Sequence, residues 1–129
     1  PNHVGDFDRW MVGVGRDATV KRLKGPKRPI LNEHIRIFTV ASFRAVDYCF
    51  LDPILVNQNP LTLISLVQKT LRPDVYIINH DASDISYRKK IISKHGDSKM
   101  KLIILNRWCP SEFNSISTSS IIDKIKKVT

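Results

Sequence analysis

Apolar runs of strand length alternate along this chain with segments whose apolar residues recur at helical spacing. Continuous apolar runs are typical of parallel strands covered on both faces, whereas a spacing of three and four residues indicates a helix with one buried face. The runs predict strands at residues 10–14, 47–51, 75–78 and 101–105. The helical spacings predict helices at residues 32–43, 61–71, 86–94 and 118–127.

This alternation predicts an α/β domain in which right-handed helical crossovers join parallel strands. No repeat or low-complexity linker interrupts the pattern, so residues 1–129 are expected to form a single domain. The predicted architecture is a Rossmann-like, doubly wound parallel sheet with helices on both faces. In open sheets of this kind, ligands bind at the carboxyl ends of the strands.

Composition narrows the class of protein further. No apolar run approaches the roughly 18 residues of a membrane span, and the sequence shows no charged-then-apolar leader, so a cytoplasmic protein without membrane contact is expected. Cys49 and Cys109 are interpreted as reduced thiols. The four histidines lack zinc-ligand spacing, and no metal site made of side chains is predicted.

The net charge is +9, and many of the Lys and Arg residues that cause it lie in three clusters. Two of them fit solvated helix faces. The first is interpreted as a Gly- and Pro-punctuated loop past the end of a strand, where positive charge can neutralise phosphates. It contains no aromatic side chain for base stacking, which favours a mononucleotide over nucleic acid as the partner. The clusters are Lys21, Arg22, Lys24, Lys27 and Arg28; Arg88, Lys89, Lys90 and Lys94; and Lys124, Lys126 and Lys127.

A run of hydroxyl side chains, Ser117 to Ser120, opens the last predicted helix. One hydroxyl at this place can cap the helix, and the free N–H groups of the first turn form a positive site for phosphate oxygens. Capping alone explains most such clusters. A phosphate site is indicated only when a second segment with matching chemistry accompanies the first.

Six segments supply that context, because their order and residues resemble the nucleotidyltransferase superfamily, specifically its cytidylyltransferase-like branch. The resemblance spans about residues 6–125. Within the superfamily, the motifs are most similar to those of the nucleotidyltransferase domain of heptose-phosphate adenylyltransferases. The segments are VGVGRDATVKRLKG at 12–25, RPI at 28–30, NEHIR at 32–36, AVDY at 45–48, LRPDV at 71–75 and ISTSSI at 116–121.

The resemblance implies direct nucleotidyl transfer. A phosphate monoester attacks the α-phosphorus of CTP or ATP, pyrophosphate leaves, and Mg²⁺ held mainly by the nucleotide phosphates assists. Members of the superfamily commonly dimerise, and residues 43–50 are expected to supply part of such an interface. The catalytic residues implied are His3, Lys21, Ser117 and Thr118. The implied nucleotide-binding residues are Gly13, Arg16, Asp17, Lys24, Arg36, His80, Asp81, Ser117, Thr118 and Ser119.

One departure from the family pattern concerns its early His-x-Gly-His motif. His3, Val4 and Gly5 fit the first three positions, but Asp6 stands where the second histidine belongs. The stretch before the first visible strand is also too short for the family's first strand and crossover helix, which implies that a fifth strand precedes Pro1. A catalytically inactive nucleotide-binding relative and a basic nucleic-acid-binding module both remain alternatives.

Three single residues have two interpretations each. Asp17 is either part of the nucleotide pocket or a simple turn cap, and His80 lies at a functional strand end or serves only as a turn residue. Trp108, just past the last predicted strand, either stacks on a base or packs under the last helix.

Overall fold

Four strands form two separate parallel ladders in the computed structural model, which describes residues 9–54, 58–59, 61–94, 99–114 and 116–128. The predicted parallel pairing is confirmed, since Val12 lies opposite Cys49 in one ladder and Ile77 opposite Ile103 in the other. The described residues form two two-stranded sheets, so a continuous five-stranded sheet stays a prediction. The strands are β1 (Met11–Val14), β2 (Tyr48–Leu51), β3 (Val75–Asn79) and β4 (Lys101–Leu105).

The helices connect the strands in the order β1, α1, α2, β2, α3, β3, α4, β4, α5, and the four predicted helices are confirmed within two residues at each end. Asn32 caps α2 as predicted, because its Oδ1 accepts a hydrogen bond from the Ile35 N–H at 3.0 Å. Among the described residues, no helix is long and apolar enough to cross a membrane. The helices are α1 (Asp17–Lys24), α2 (Glu33–Ala41), α3 (Thr62–Thr70), α4 (Ile85–Lys94) and α5 (Thr118–Val128), with a 3₁₀ turn at Ser111–Phe113.

The expectation of a loop throughout the first basic cluster is wrong. Residues 17–24 form helix α1, so Lys21, Arg22 and Lys24 lie on a helix and only the stretch beyond it is a loop. Ala, Leu, Lys and Arg are strong helix formers, and this preference outweighs the punctuation by glycine and proline. Gly25 ends α1 with φ at +95°, a conformation open to glycine, while its N–H donates to the Lys21 carbonyl.

The hydrophobic core is thin. Among the described residues, only Val14, Ile54, Ile64 and Met100 are buried apolar side chains. The accessible surface is 10226 Å², whereas a compact monomer of 14.8 kDa exposes about 7,000 Å². Large apolar side chains such as Phe38 and Phe43, 74% and 60% exposed, account for part of this excess.

A buried polar side chain joins helices α3 and α4. Gln68 of α3 is 3% exposed, and its Nε2 donates to the Ile92 carbonyl in the last turn of α4 at 3.0 Å. That carbonyl is one of the four at a helix end that have no partner within the helix. Gln68 therefore caps α4 from a neighbouring helix.

Candidate functional site

A four-residue charged cluster lies at the carboxyl end of β1. Arg36 Nη2 donates to Asp17 Oδ1 at 2.6 Å, and Arg16 Nη1 lies 3.8 Å from Glu33 Oε1. The Asp17 N–H donates to Glu33 Oε2 at 2.9 Å. The charged cluster thus consists of two ion pairs that are linked by the Asp17 N–H, and it joins the start of α1 to the start of α2.

Arg16 also connects the charged cluster to the second strand. Its Nε donates to the backbone carbonyl of Asp52, the first residue after β2, at 2.8 Å. The predicted nucleotide-binding residues Arg16, Asp17 and Arg36 are therefore brought together, and each has a structural partner. For Asp17, the outcome is a paired carboxylate at the first position of a helix rather than a turn cap.

The charged cluster also affects the pKa of Asp17. Partial burial raises this pKa, but the hydrogen bond from Arg36, a backbone hydrogen bond from Glu33 and the positive charge of Arg36 together hold it below its ordinary value of 3.8. Asp17 thus stays ionised over a wider acid range in the folded protein than in the unfolded chain.

We expect the charged cluster to make stability depend on acid pH. A lowered folded-state pKa stabilises the fold fully above the ordinary value of 3.8, and this contribution is lost as the pH falls through the folded pKa. The stability difference between the parent and Asp17→Asn should therefore shrink below about pH 4. Urea midpoints at pH 7, 5, 4 and 3 measure it. The control is Asp123→Asn, which removes a carboxylate that has no ion pair among the described residues. A parent–variant difference that stays constant down to pH 3 would contradict the expectation.

Gly13 is placed inside β1 beside the ring of Phe50. A Cβ built on Gly13 would lie 3.1 Å from the ring's Cζ, which is closer than ordinary packing allows. The absence of a side chain at Gly13 therefore lets β2 present Phe50 against β1. Packing explains this glycine without any contact to a ligand.

A second polar group lies at the carboxyl ends of β3 and β4. The His80 N–H donates to the Leu105 carbonyl at 2.8 Å, and its ring Nδ1 accepts from the Arg107 N–H at 3.3 Å. Arg107 Nη2 lies 3.5 Å from Asp81 Oδ2. Both His80 and Asp81 are exposed and are held by Arg107. His80 thus has a defined partner at a strand end, where the α/β fold places ligands.

Trp108 follows Arg107 and is 83% exposed. Its interpretation as a residue packed under the last helix is wrong for the described residues, because so little of the ring is covered. The indole is available for stacking at the same edge as His80. Stacking on a base stays a prediction.

The start of α5 carries a reciprocal serine cap. Ser117 Oγ accepts from the Ser120 N–H at 3.0 Å, and Ser120 Oγ accepts from the Ser117 N–H at 2.8 Å. This is the geometry of a capping box with serine in place of the usual Glu or Gln. The cap uses Ser117 and Ser120, while Thr118 and Ser119 are exposed in the first turn, whose N–H groups have no helical acceptor.

The basic segment and the serine run meet in the fold. Arg28 Nη2 lies 3.5 Å from Ser119 Oγ, although 91 residues separate them in the sequence. Lys21 and Lys24 are exposed on α1, at the other end of the same basic segment. The two motifs that were separate in the sequence therefore adjoin at the first turn of α5.

One predicted catalytic residue lies outside the part of the chain that the structure describes. His3 lies outside the described residues, so its role stays a prediction. In the part of the chain that the structure describes, no three His, Cys, Asp or Glu side chains are grouped as a metal would require. Cys49 and Cys109 are both free thiols.

Glu33, Arg28 and Arg107 were not among the residues predicted for the site. Glu33 has a recognisable sequence signal, since it stands one residue after the helix cap Asn32 and three before Arg36. Arg28 has two signals in the sequence, its place in the first basic cluster and the RPI segment at 28–30. Arg107 has the weaker signal of a basic residue just past the end of a strand.

Parallel strands, charged groups at their carboxyl ends and an open helix start beside a basic loop are typical of α/β proteins that bind nucleotides. Comparison with known proteins finds relatives that match most of this chain. The bifunctional protein HldE of Helicobacter pylori is 36% identical over 121 residues, 93% of this chain and 22% of that protein. The HldE of Campylobacter jejuni subsp. jejuni is 37% identical over 119 residues, 92% of this chain and 22% of its own length.

Among solved structures, the lipopolysaccharide core biosynthesis protein of Thermoplasma volcanium has a similar fold, with a TM-score of 0.61 and 22% identity. The match covers 79% of this chain and 76% of that chain. No protein-family model matches the sequence. The chain spans about a fifth, 22%, of the length of the curated relatives it matches.

These relatives confirm the resemblance found in the motifs. Over nearly its whole length the chain is related to one segment of the HldE proteins, and its fold is similar to that of the lipopolysaccharide core biosynthesis protein.

Proposed function

We propose that this domain transfers a nucleotidyl group from a nucleoside triphosphate to a phosphorylated small molecule and releases pyrophosphate. The observation that carries the proposal is the contact between Arg28 and Ser119, 3.5 Å across 91 residues. It sets a guanidinium beside the open first turn of α5, and both groups favour phosphate oxygens. The relationship to HldE makes ATP and a sugar phosphate the favoured substrates, with CTP as the alternative nucleotide.

Chemistry at this site consists of positioning and charge stabilisation. The first-turn N–H groups of α5 hold the terminal phosphates, and Arg28, Lys21 and Lys24 offset the negative charge that moves onto pyrophosphate as it leaves. An oxygen of the acceptor phosphate forms the new bond to the α-phosphorus as the bond to pyrophosphate breaks, so no covalent enzyme intermediate is involved. Mg²⁺ bound by the phosphates adds further positive charge when it is present.

A thermal-shift comparison of ATP, CTP, GTP and UTP with Mg²⁺ tests the binding step. A ligand present at a hundred times its Kd stabilises the native state by about 2.7 kcal/mol, so the true substrate raises Tm most. We expect ATP to give the largest rise. If none of the four nucleotides changes Tm, the proposed site is wrong.

An inactive nucleotide-binding relative is the second candidate, because Asp6 occupies the place of the family's second motif histidine. Both candidates bind the triphosphate, but only the enzyme releases pyrophosphate when a sugar phosphate is added. A nucleic-acid-binding module would instead bind RNA or DNA with an affinity that falls steeply with salt, and would leave Tm unchanged with free nucleotides. Pyrophosphate release and a salt series together separate the three functions.

Lys21 and Thr118 are expected to differ strongly in their effect on turnover. Lys21→Ala removes a full positive charge from α1, and we expect turnover to fall about 10-fold or more. Thr118→Ala should change turnover and stability little, because the cap of α5 is formed by Ser117 and Ser120. Steady-state pyrophosphate release by both variants measures the difference. Equal turnover in the Lys21→Ala variant and the parent would show that Lys21 is not part of the site.

Assembly into a homodimer also remains a proposal. Phe43, 60% exposed, offers apolar surface to a partner, whereas Phe50 is half-buried. Light scattering that finds only monomer at high protein concentration would contradict it.

A further inference from the structure

The segment that joins β4 to α5, residues 106–117, has little packing, and we call it the β4–α5 connection. Strand-to-helix connections in α/β units commonly contain about 2–6 residues, so this one is long. All of its described residues except Pro110 are exposed, and they include the large side chains of Trp108 and Phe113. The position of the connection therefore depends on hydrogen bonds and ion pairs rather than on burial.

Most hydrogen bonds of the β4–α5 connection are local. The Phe113 N–H donates to the Pro110 carbonyl and the Ile116 N–H to the Phe113 carbonyl, each at 2.9 Å. Within the part of the chain that the structure describes, only Arg107 links the connection, by a hydrogen bond or an ion pair, to a segment that is distant in the sequence. That segment is the turn after β3, which carries His80.

The backbone of His80 is fixed from two sides. Its N–H donates to the Leu105 carbonyl, at the end of β4, at 2.8 Å. The Ala82 N–H donates to the Asn79 carbonyl at 3.0 Å, which closes a turn around His80. Because its backbone is held in this way, the His80 side chain is a firm anchor for the Arg107 N–H, which donates to Nδ1 at 3.3 Å.

The hydrogen bond from Arg107 requires one protonation state of the His80 ring. Nδ1 accepts a hydrogen bond only when it carries no proton, so the neutral ring has its proton on Nε2. A second proton must then go to Nδ1, where it meets the Arg107 N–H, which is also a donor. Histidine side chains in general change charge between about pH 5 and 8. Acid in this range therefore breaks the bond to Arg107.

The charges beside the His80 ring act in the same direction. Among the described residues, the charged groups with a contact at this place are the Asp81 carboxylate, next to His80 in the turn, and the Arg107 guanidinium, which lie 3.5 Å apart. A protonated ring adds positive charge close to Arg107 and competes with it for Asp81. The single carboxylate then has two cationic partners, and its ion pair with Arg107 is weakened.

The release of Arg107 affects the candidate site. Trp108 follows Arg107 directly and is 83% exposed, and the far end of the β4–α5 connection leads into the first turn of α5. A ligand that binds to an ordered segment meets a smaller entropy cost than a ligand that has to order it. The bond between His80 and Arg107 therefore favours binding at the carboxyl ends of β3 and β4, without requiring a contact between His80 and the ligand.

We propose that His80 is a positioning residue whose unprotonated Nδ1 holds Arg107, and thereby keeps the start of the β4–α5 connection and Trp108 in place beside the carboxyl ends of β3 and β4. Acidification from pH 7.5 to pH 5 releases the connection and weakens ligand binding. The effect on nucleotide affinity rests on the proposed function, whereas the effect on the order of the connection does not.

Two variants separate the two ring nitrogens of His80. In His80→Asn, the amide oxygen takes the position of Nδ1, accepts a hydrogen bond and does not titrate. In His80→Gln, the amide oxygen takes the position of Nε2 and cannot hold Arg107. A role through Nδ1 is thus preserved in His80→Asn, whereas a direct contact between Nε2 and a ligand is preserved in His80→Gln.

NMR relaxation of the backbone amides, without nucleotide, tests the first part of the inference. We expect the order parameters of Arg107 and Trp108 in the parent to fall from about 0.85, typical of rigid backbone, at pH 7.5 to below about 0.6 at pH 5. They should stay high at both pH values in His80→Asn and low at both in His80→Gln. Order parameters that do not change with pH in the parent, or that fall equally in His80→Asn, would overturn the inference.

Calorimetric titration of ATP with Mg²⁺ tests the second part. One hydrogen bond corresponds to a factor of about 2 to 10 in an equilibrium constant. The Kd of the parent, divided by that of His80→Asn, should rise by this factor from pH 7.5 to pH 5, and the ratio cancels the protonation of ATP and of other side chains. If neither protein binds ATP, the proposed function is wrong, and the order parameters alone decide the role of His80. A ratio that stays constant or falls at pH 5 would overturn the effect on binding, and a fall would identify a direct contact between the imidazolium and phosphate.

Discussion

Replacing Arg28 with alanine should weaken triphosphate binding about 10- to 100-fold. A hydrogen bond to a charged group contributes about 1.5–3 kcal/mol, and about 1.4 kcal/mol corresponds to a factor of ten in Kd. Arg28 is the cationic side chain that the structure places directly at the first turn of α5. Calorimetric titration of ATP at fixed ionic strength measures the change.

Lys27→Ala is the matched control for Arg28→Ala. Lys27 is the neighbouring cation in the same loop, and it is exposed, with no hydrogen bond or ion pair among the described residues. Both variants lose one charge, so a difference between them reports position rather than net charge. Binding of the monophosphate should change little in either variant. Equal losses for Lys27→Ala and Arg28→Ala would show that Arg28 contributes only to the general positive potential.

The largest loss of stability is expected for Ile64→Ala. Truncation of a buried isoleucine removes transfer free energy and leaves a cavity, at a cost of about 2–5 kcal/mol. Ile64 is 4% exposed, so its side chain is almost completely covered by its neighbours. Since the core is thin and can collapse around the gap, the lower half of that range is expected. Urea unfolding midpoints give the value, provided that the m-value is unchanged.

Leu66→Ala on the same helix is the control for Ile64→Ala. Leu66 is 37% exposed, so its truncation should cost about 1 kcal/mol or less. Both changes place alanine in α3, and the difference between them isolates burial from helix propensity. A loss for Leu66→Ala as large as that for Ile64→Ala would mean that α3 is not anchored through Ile64.

The strands and most helices could be predicted because their signals are local. The apolar run at residues 101–105 and the Asn32 cap each depend on neighbours within a few positions. The sequence pattern does not predict helix α1, because its eight residues lie between Gly15 and Gly25, and the two glycines favour a loop. The break between β1 and β3 could not be anticipated either, because sheet order depends on contacts between distant parts of the chain.

The candidate site was predictable in outline only. Arg16, Asp17 and Arg36 were predicted as nucleotide-binding residues and lie close together, but their mutual pairing through Glu33 depends on where two helix starts meet. Likewise, Arg107 acquires a role only because β3 and β4 end side by side. Motif order predicted the relationship to the HldE segment, whereas the partner of each side chain required coordinates.

The contact between the starts of α1 and α2 limits the conformations of the loop that carries Arg28. The Asp17–Glu33 hydrogen bond joins the two helix starts, and Arg36 Nε holds the Leu31 carbonyl at 3.0 Å. Both ends of the loop from Gly25 to Asn32 are therefore fixed in the folded protein. The entropy cost of closing this loop belongs to folding and does not oppose ligand binding. On the proposed function, we expect Glu33 to influence phosphate affinity without touching phosphate, through the number of conformations left to Arg28 before the ligand arrives.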